Sequence, residues 1–331
     1  MSETRDKKII VFHVLEILKK YSDENHLLNY SAIMEKLSTI YDERPDIKTI
    51  ASNIGTLIDA GYEIIKCGNL GCYLSERDFE DGELMYLVDA VNSSNSIPAK
   101  QVRELIEKLT KSCSKYQKAR YKATNKIDLV SKSKNKELFY IIEVLNEAIE
   151  KSKKVSFCYN EYKVSKEQSP RFKGKEFKIN PYFLVNSRGK YYLVCNYDKY
   201  NNLSNYKIDC ISNIKLLDEP IKPMKELDDM EGFSKDKYIK GHIYMTFGNS
   251  VSATLKLDEA KYLGDIIDWF GDSVSVSENK DNTLCVKLNV NEQALIYWAM
   301  QYGKHIEVIS PKETREKIKT TLKDILKRYE V

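Results

Sequence analysis

Residues 178–217, KINPYFLVNSRGKYYLVCNYDKYNNLSNYKIDCISNIKLL, constrain the fold of this chain more than any other stretch. Three short runs of alternating aromatic and aliphatic residues are separated by turn-prone pieces, Asn186-Ser187-Arg188-Gly189 and then residues 198–202. A period of two sends successive side chains to opposite faces, so the pattern predicts an antiparallel meander. Tyr182, Tyr191, Tyr192, Tyr197 and Tyr206 sit there among Arg188, Lys190 and Lys207. That is more hydroxyl and cationic chemistry than a purely structural core needs.

Upstream, the period changes. Residues 7–21 place Val11, Val14, Leu15, Leu18 and Tyr21 on one helical face, and a second helix is expected over 30–40. A third opens at Asp46, a residue suited to the N-cap, and stops at Gly61. Its apolar stripe is Ile47, Ile50, Ala51, Ile54, Leu57 and Ile58; its other face is Lys48, Thr49, Ser52, Asn53 and Thr56. Short polar side chains let a helix approach base edges in a DNA major groove. Two strands, 62–66 and 73–74, follow and are joined by the Gly-rich piece 67–72. Three helices and then a hairpin is the winged helix-turn-helix order, with Asn69 on the wing completing the DNA-binding set. The competing reading is a small helical domain with a solvated polar face.

Residues 79–136 read as a helical linker. Between positions 100 and 136 stand twelve Lys/Arg against three acids, a net charge of +9 in a chain whose total is only +4. Solvated helix faces are usually mixed in sign, so a one-signed run favours phosphate contact; a Lys-rich linker kept soluble by its charge is the alternative. A helix is expected over 138–150, a strand over 155–159 and a polar loop over 162–175. Pro220 and Pro223 end the sheet. Beyond them strands at 243–247, 251–257, 274–277, 283–289 and 305–309 and helices at 258–270, 292–301 and 311–329 form an α+β module. The expected domains are therefore 1–78, 79–136, 137–220 and 221–331.

Several function classes are set aside. No apolar run reaches the length of a membrane span. Seven scattered cysteines, an odd number, fit reduced thiols of a cytoplasmic protein, and Cys67 with Cys72 lacks a second Cys/His pair to complete a zinc site. His13, His26, His242 and His305 are far apart, with no nucleophile or paired acid at suggestive spacing. Asp209 reads as the structural partner of a nearby cation. No enzyme, metal or cofactor is expected. Abundant Lys and Tyr point to a low-GC bacterial genome.

These features together resemble the WYL-domain transcriptional regulators, over nearly the whole chain. Tyr191-Tyr192-Leu193 matches the motif that names the family, with Tyr for the usual Trp, and is preceded by Pro181-Tyr182 and Phe157-Cys158-Tyr159. Residues 206–211, Tyr-Lys-Ile-Asp-Cys-Ile, match the following strand, with Lys207 and Cys210 where the family commonly has arginines. The C-terminal WCX extension is matched by Phe247-Gly248, Trp269-Phe270-Gly271, Trp298-Ala299 and Ser310-Pro311 leading to Arg315. In the recognition helix, the frequent Arg-Asp pair has become Ser52-Asn53.

The resemblance implies a winged helix-turn-helix, a helical linker, an SH3/Sm-like β-barrel and an α+β sandwich. It also implies a homodimer on a double-stranded operator, governed by a nucleic-acid or nucleotide-like ligand in a basic, aromatic pocket. The pocket set is Tyr159, Arg171, Tyr182, Lys190, Tyr191, Tyr192 and Lys207, since aromatic faces stack bases and cations pair with phosphate. Tyr191 shares a strand face with Leu193 and Cys195, Tyr192 the other with Val194, so at least one of the two tyrosines belongs to the core. Lys207 offers a point charge without the fork of an arginine, which loosens phosphate recognition. The second reading is an accessory protein that binds single-stranded nucleic acid through the barrel, for instance in phage defence.

Overall fold

In the computed structural model, Asn29 and Asp46 each turn a side-chain oxygen onto the backbone N–H three residues on, that of Ala32 at 2.8 Å and of Thr49 at 2.7 Å. Each satisfies a donor the helix cannot pair internally, and so starts a helix. The structure describes residues 9–124, 132–164, 168–228, 230, 232–246 and 248–330. The chain divides into two units, residues 1–132 and 133–331.

In the first unit, α1 (Ile10–Tyr21), α2 (Tyr30–Tyr41) and α3 (Ile47–Asp59) enclose a core that includes Val14, Leu18, Ile33, Leu37, Ile50 and Ile54. Ile47 and Ile58 do not join it; they are 51% and 38% exposed. α1 and α2 cover only the arc of α3 that carries Ile50, Ile54 and Leu57. Ile47 precedes that arc in the first turn, and Ile58 lies a residue round from it.

β1 (Ile64–Lys66) and β2 (Cys72–Leu74) then pair antiparallel, Ile64 opposite Leu74. Leu28, ahead of α2, exchanges two backbone hydrogen bonds of 2.9 Å with Cys72, so the hairpin is stitched to the helices. This stitch requires Gly71. Its φ is +123°, and a Cβ there would stand 2.5 Å from the Leu28 carbonyl.

The expected helical stretch 81–131 is three helices, α4 (Asp81–Ser93), α5 (Ala99–Leu109) and α6 (Lys115–Thr124); residues 125–131 lie outside the described residues. Arg77 ties them to α1: its guanidinium donates to the carbonyls of Lys19 (2.8 Å), Ser22 (2.6 Å) and Ser112 (3.1 Å). Buried Asp23 accepts from the Ser114 hydroxyl at 2.8 Å, at the start of α6.

The second unit opens with α7 (Leu138–Glu150), whose buried face is Leu138, Ile141, Leu145 and Ala148. Strands β3 (Lys153–Tyr162), β4 (Gln168–Pro170), β5 (Glu176–Ser187), β6 (Lys190–Asn196), β7 (Ser204–Lys207) and β8 (Ile211–Pro220) make one sheet. Its order is β4-β3-β5-β6-β7, with β8 on β3. Two expectations change here. The polar loop 162–175 contains β4 and a 3₁₀ turn, Arg171–Gly174. The third run of the meander is split by a 3₁₀ turn, Ile208–Cys210, which takes the chain off β6 and delivers β8 to β3. Among the described residues no ladder joins β7 to β8, so the sheet is not closed by pairing into the expected barrel.

β5 belongs to both halves of this sheet. Residues up to Ile179 pair with β3 and those from Asn180 with β6, with a bulge between Pro181 and Phe183. Proline has no N–H for a ladder, so the strand changes partner where its hydrogen bonding is weakest. At that corner a buried polar network replaces the missing pairing. Asn180 Nδ2 donates to Asn196 Oδ1 (3.0 Å) and Asp198 Oδ1 (2.7 Å), and Asn180 Oδ1 accepts from Lys222 N–H (2.9 Å). Asn196 Nδ2 donates to the carbonyls of Tyr200 (2.7 Å) and Asn202 (3.0 Å), and Lys154 binds Asp198 Oδ2 at 2.6 Å. Both asparagines are fully buried.

Next come α8 (Lys235–Gly241), β9 (Ser250–Leu257), α9 (Leu263–Phe270), β10 (Ser275–Glu278), β11 (Leu284–Asn291), α10 (Glu292–Tyr302), β12 (Ile306–Ser310) and α11 (Lys312–Tyr329). The expected strand 243–247 is absent among the described residues: Ile243 and Tyr244 form a turn, Met245 sits at φ +52°, and residue 247 lies outside them. Of its apolar residues, Met245 packs on Val185 and Val194, while Ile243 and Tyr244 pack with residues of β9 and α10. The sheet runs β10-β11-β9-β12, all antiparallel, the split β-α-β order. Ala253, Leu255 and Leu257 alternate inward on β9 and meet Trp298 of α10 and Phe270 of α9 in one core.

Two expectations follow from these constraints. Gly71→Ala destabilises the first unit well beyond Gly68→Ala in thermal unfolding, because Gly68 (φ +56°) has open space for a Cβ and costs only about 1–2 kcal/mol of backbone strain. Burial raises the Asp198 carboxyl, but hydrogen bonds from Lys154 and Asn180 outweigh it and hold the pKa below its ordinary value. A lowered folded-state pKa gives stability that is present above about pH 3.9 and is lost as pH falls through the folded value. Urea unfolding of wild type and Asp198→Asn therefore shows a stability gap at pH 7 that narrows below about pH 4.

Candidate functional site

α3 projects Lys48, Ser52 and Thr56, at successive i, i+4 positions, all exposed, with Thr49 and Asn53 half-buried beside them. The Asp46 cap orients the first turn, so Lys48 and Thr49 lead the exposed face. Thr56 donates its hydroxyl to the Ser52 carbonyl at 3.1 Å. Asn53 Nδ2 is buried without a hydrogen-bond partner, a donor that the fold leaves unsatisfied. Asn69 is exposed on the 3₁₀ turn of the hairpin, next to Leu70, which is 72% exposed. All five helix residues thus share one face, and Asn69 sits at the turn between the two strands.

The basic segment is less free than its charge count implies. Arg120 pairs with Asp81 at 2.9 Å, Lys115 lies over the rings of Tyr21 and Tyr116, and Lys100 meets Glu104 at 3.7 Å. Lys132 donates to the carbonyls of Asn92 and Ser94 at the end of α4. Burial lowers the pKa of that ammonium. Lys126 and Asp128 lie outside the described residues.

In the second unit, the structure brings Tyr159, Tyr192 and Lys207 together. Tyr192 stands opposite Lys207 in the β6–β7 ladder, and the Lys207 backbone N–H donates to the Tyr159 hydroxyl at 3.4 Å. The Lys207 ammonium is 2.9 Å from Asp209 Oδ2, and Asp209 is only 2% exposed, which agrees with its reading as a cation's partner. Burial lowers the Lys207 pKa, but the hydrogen bond and charge of Asp209 outweigh this and raise it above its ordinary value. The second Asp209 oxygen is buried and unpaired. Burial raises the pKa of Tyr159 strongly and that of Tyr192 less, so both phenols stay neutral donors.

The remaining members of the set disperse. Tyr182, the residue within the β5 bulge, donates to the Lys222 carbonyl at 2.9 Å. Lys190 is exposed at the start of β6, and Arg171 pairs with Glu161 at 3.4 Å on the surface. Tyr191 and Tyr192 are both half-buried; Tyr192 packs on the Val185, Val194 and Met245 cluster. The neighbouring hairpin turn carries Arg188, whose guanidinium carbon lies 3.4 Å from the centre of the Trp269 ring in α9.

A groove of about 440 Å³ escaped the sequence reading. It is lined by Lys175, Phe177, Tyr197, Tyr200, Asn202, Ser204 and Tyr206. Tyr197 and Tyr206 were visible as surplus tyrosines, but nothing in the sequence joins them to Phe177 and Lys175 across the sheet. Among the described residues, no group of three or more His, Cys, Asp or Glu could hold a metal, and no helix is long and apolar enough to cross a membrane. All seven cysteines are free thiols. Each histidine has a local partner: Glu43 for His13, Asp23 for His26, the Tyr238 carbonyl for His242 and the Tyr262 ring for His305.

The family model of the WYL domain matches residues 140–216, and that of the WCX domain matches residues 249–326. Over 306 residues the chain is 25% identical to YobV of Bacillus subtilis strain 168, an uncharacterized HTH-type transcriptional regulator; the match covers 86% of this chain and 90% of that protein. Among solved structures, the proteasome accessory factor B/C (PafBC) of Arthrobacter aurescens aligns with 97% of this chain at 12% identity and a TM-score of 0.28, and the alignment spans 49% of its own length. A CRISPR Cas-related protein aligns with 97% of this chain and 84% of its own, at 18% identity and a TM-score of 0.38. The chain thus carries a WYL domain followed by a WCX domain, and over most of its length it is similar to an HTH-type transcriptional regulator.

Proposed function

We propose that this protein is a ligand-responsive, cytoplasmic transcriptional regulator that binds a double-stranded operator as a homodimer and catalyses no reaction. The exposed polar face of α3 carries this reading. Three helices, a stitched hairpin and an outward row of Lys48, Ser52 and Thr56 make a winged helix-turn-helix whose third helix enters the major groove. The similarity to an HTH-type regulator over most of the chain supports it. Lys48 contacts phosphate or a base edge, Thr49, Ser52, Asn53 and Thr56 face the groove, and Asn69 follows on the wing. Asn53 carries an amide able to bond N6 and N7 of an adenine together, once its side chain turns outward from the buried position it holds in the free protein.

In this reading residues 1–78 bind DNA, 79–136 link, 137–220 sense and 221–331 form the WCX extension. The sensing sheet takes a ligand of nucleic-acid or nucleotide type, which contacts Tyr159, Tyr192 and Lys207. Its phosphate competes with Asp209 for Lys207, and that competition is the event the protein reads out. Tyr182, Lys190 and Tyr191 of the same sheet, and Arg171 of the turn after β4, stand apart from this centre.

Gel shifts on a duplex from the protein's own promoter test the first half. Lys48→Ala with Asn53→Ala lowers affinity about tenfold or more, at unchanged circular dichroism. Binding that survives the double substitution at full strength removes α3 as the reader. If single strands bind better than duplexes and only sheet substitutions weaken them, the accessory single-strand reading replaces this one. A second expectation concerns Lys207. Lys207→Ala leaves Asp209 buried and unpaired, at a cost of about 3–5 kcal/mol. Pairing it with Asp209→Asn recovers much of that in urea unfolding, while the effect of added mononucleotides on DNA binding stays lost.

A further inference from the structure

The loop between β6 and β7 is organised at unusual expense for a surface connection. Fully buried Asn196 donates to the carbonyls of Tyr200 and Asn202, and Asn180 with Lys154 holds Asp198 within the same turn. Lys222 reaches the loop from outside, its ammonium 2.6 Å from Asn201 Oδ1, and Asp228 N–H donates to the Asn201 carbonyl at 2.9 Å. Buried polar networks of this kind specify one conformation. What this one specifies is the placement of two aromatic rings away from any core. Tyr200 is 52% exposed, and its ring centre lies 6.0 Å from that of Tyr197.

Phe177 of β5 and Tyr206 of β7, their ring centres also 6.0 Å apart, line the same groove. Burial pushes the Tyr206 phenol up to about 12, so it remains a neutral donor. The lining contains one cation, Lys175, and no carboxylate. A second cation, Lys199, lies 5.6 Å from the centre of the Tyr200 ring. Asn202 and Ser204 add an amide and a hydroxyl to the same wall. The volume of about 440 Å³ falls within the roughly 300–1,000 Å³ of small-molecule sites.

We infer that this groove is a nucleobase site separate from the Lys207 centre: a base stacks between the Tyr197–Tyr200 and Phe177–Tyr206 pairs, and its phosphate lies against Lys175. Aromatic faces accept any base, while the cation without a carboxylate selects an anionic ligand over a cationic one. The inference rests on the reading of the WYL domain as a sensor of nucleotide-type ligands, and adds a second place, apart from Lys207, where a base sits. Tyr206 connects the two sites, because its ring also meets Tyr159 edge-on at 5.1 Å. The same chemistry is offered by a free nucleotide and by a single strand.

Calorimetric titration of the full chain with the four ribonucleoside 5′-monophosphates, and anisotropy of a labelled oligothymidylate, test this. Tyr200→Ala weakens binding about tenfold, Tyr200→Phe restores it, and Lys175→Ala weakens it with a reduced salt dependence. Tyr200 is half-exposed, so its replacement leaves the melting temperature unchanged; Asn196→Ala, which frees the loop, weakens binding as Tyr200→Ala does. Tight binding of the monophosphates identifies a free nucleotide, and binding of the oligonucleotide alone identifies a single strand. If ligand binds at full affinity to Tyr200→Ala and Lys175→Ala but is lost in Lys207→Ala, the groove is not the site while the sensor reading stands. If wild type binds neither probe, the sensor reading falls and the groove assignment with it.

Discussion

The second unit depends on a pair of asparagines with no access to solvent. β5 must bend from one partner strand to another, and Pro181 at the bend cannot donate to either. Asn180, one residue earlier, supplies the lost hydrogen bonds from its side chain, to Asn196, Asp198 and Lys222. Asn196 passes the constraint on to the carbonyls of Tyr200 and Asn202. A buried amide left unpaired costs about 1–3 kcal/mol, so the pair is stable only as a complete set. One corner of the sheet and one aromatic loop are thereby fixed by the same contacts.

The Lys207–Asp209 contact is of a different kind. Asp209 is buried with one oxygen on Lys207 and the other unpaired, which makes the pair sensitive to anything that draws the ammonium away. Such a pair adds little net stability, since desolvation offsets the attraction, but it changes sharply when broken. It lies on the 3₁₀ turn that redirects the chain from β7 to β8. A ligand that took Lys207 would therefore act on the turn that sets the course of the last strand. Arginine at this position would hold the carboxylate with two bonds; lysine holds it with one.

Much of the fold could be read locally. Asp46 and the polar stripe of α3, the hairpin after Gly61, α7, and the strands around Tyr191-Tyr192-Leu193 all follow from caps, turn residues and periodicity. Errors arose where a residue's environment comes from a distant segment. Ile47 and Ile58 carry the helical period of a core yet lie beyond the arc that α1 and α2 cover. The apolar run around Ile243 has strand composition, but Met245 fills the gap beside Val185 and Val194 instead of joining a ladder. The +9 segment gave a correct charge count, whereas the internal contacts of Arg120 and Lys132 emerge only from their three-dimensional neighbours.

By itself the sequence determined most of the helices and strands, the polar face of α3, and the aromatic and cationic wealth of residues 178–217, because these depend on side-chain period and on neighbours a few residues away. Tertiary structure alone decided that β8 returns to β3, that Asp209 holds Lys207, and that Phe177, Tyr197, Tyr200 and Tyr206 share a groove with Lys175. Those residues come from two strands and two loops, and what brings them together is a bend at a proline and two buried amides. Neither has a signature in hydrophobic period. Long-range hydrogen bonds are invisible to local pattern, and here they place the candidate site.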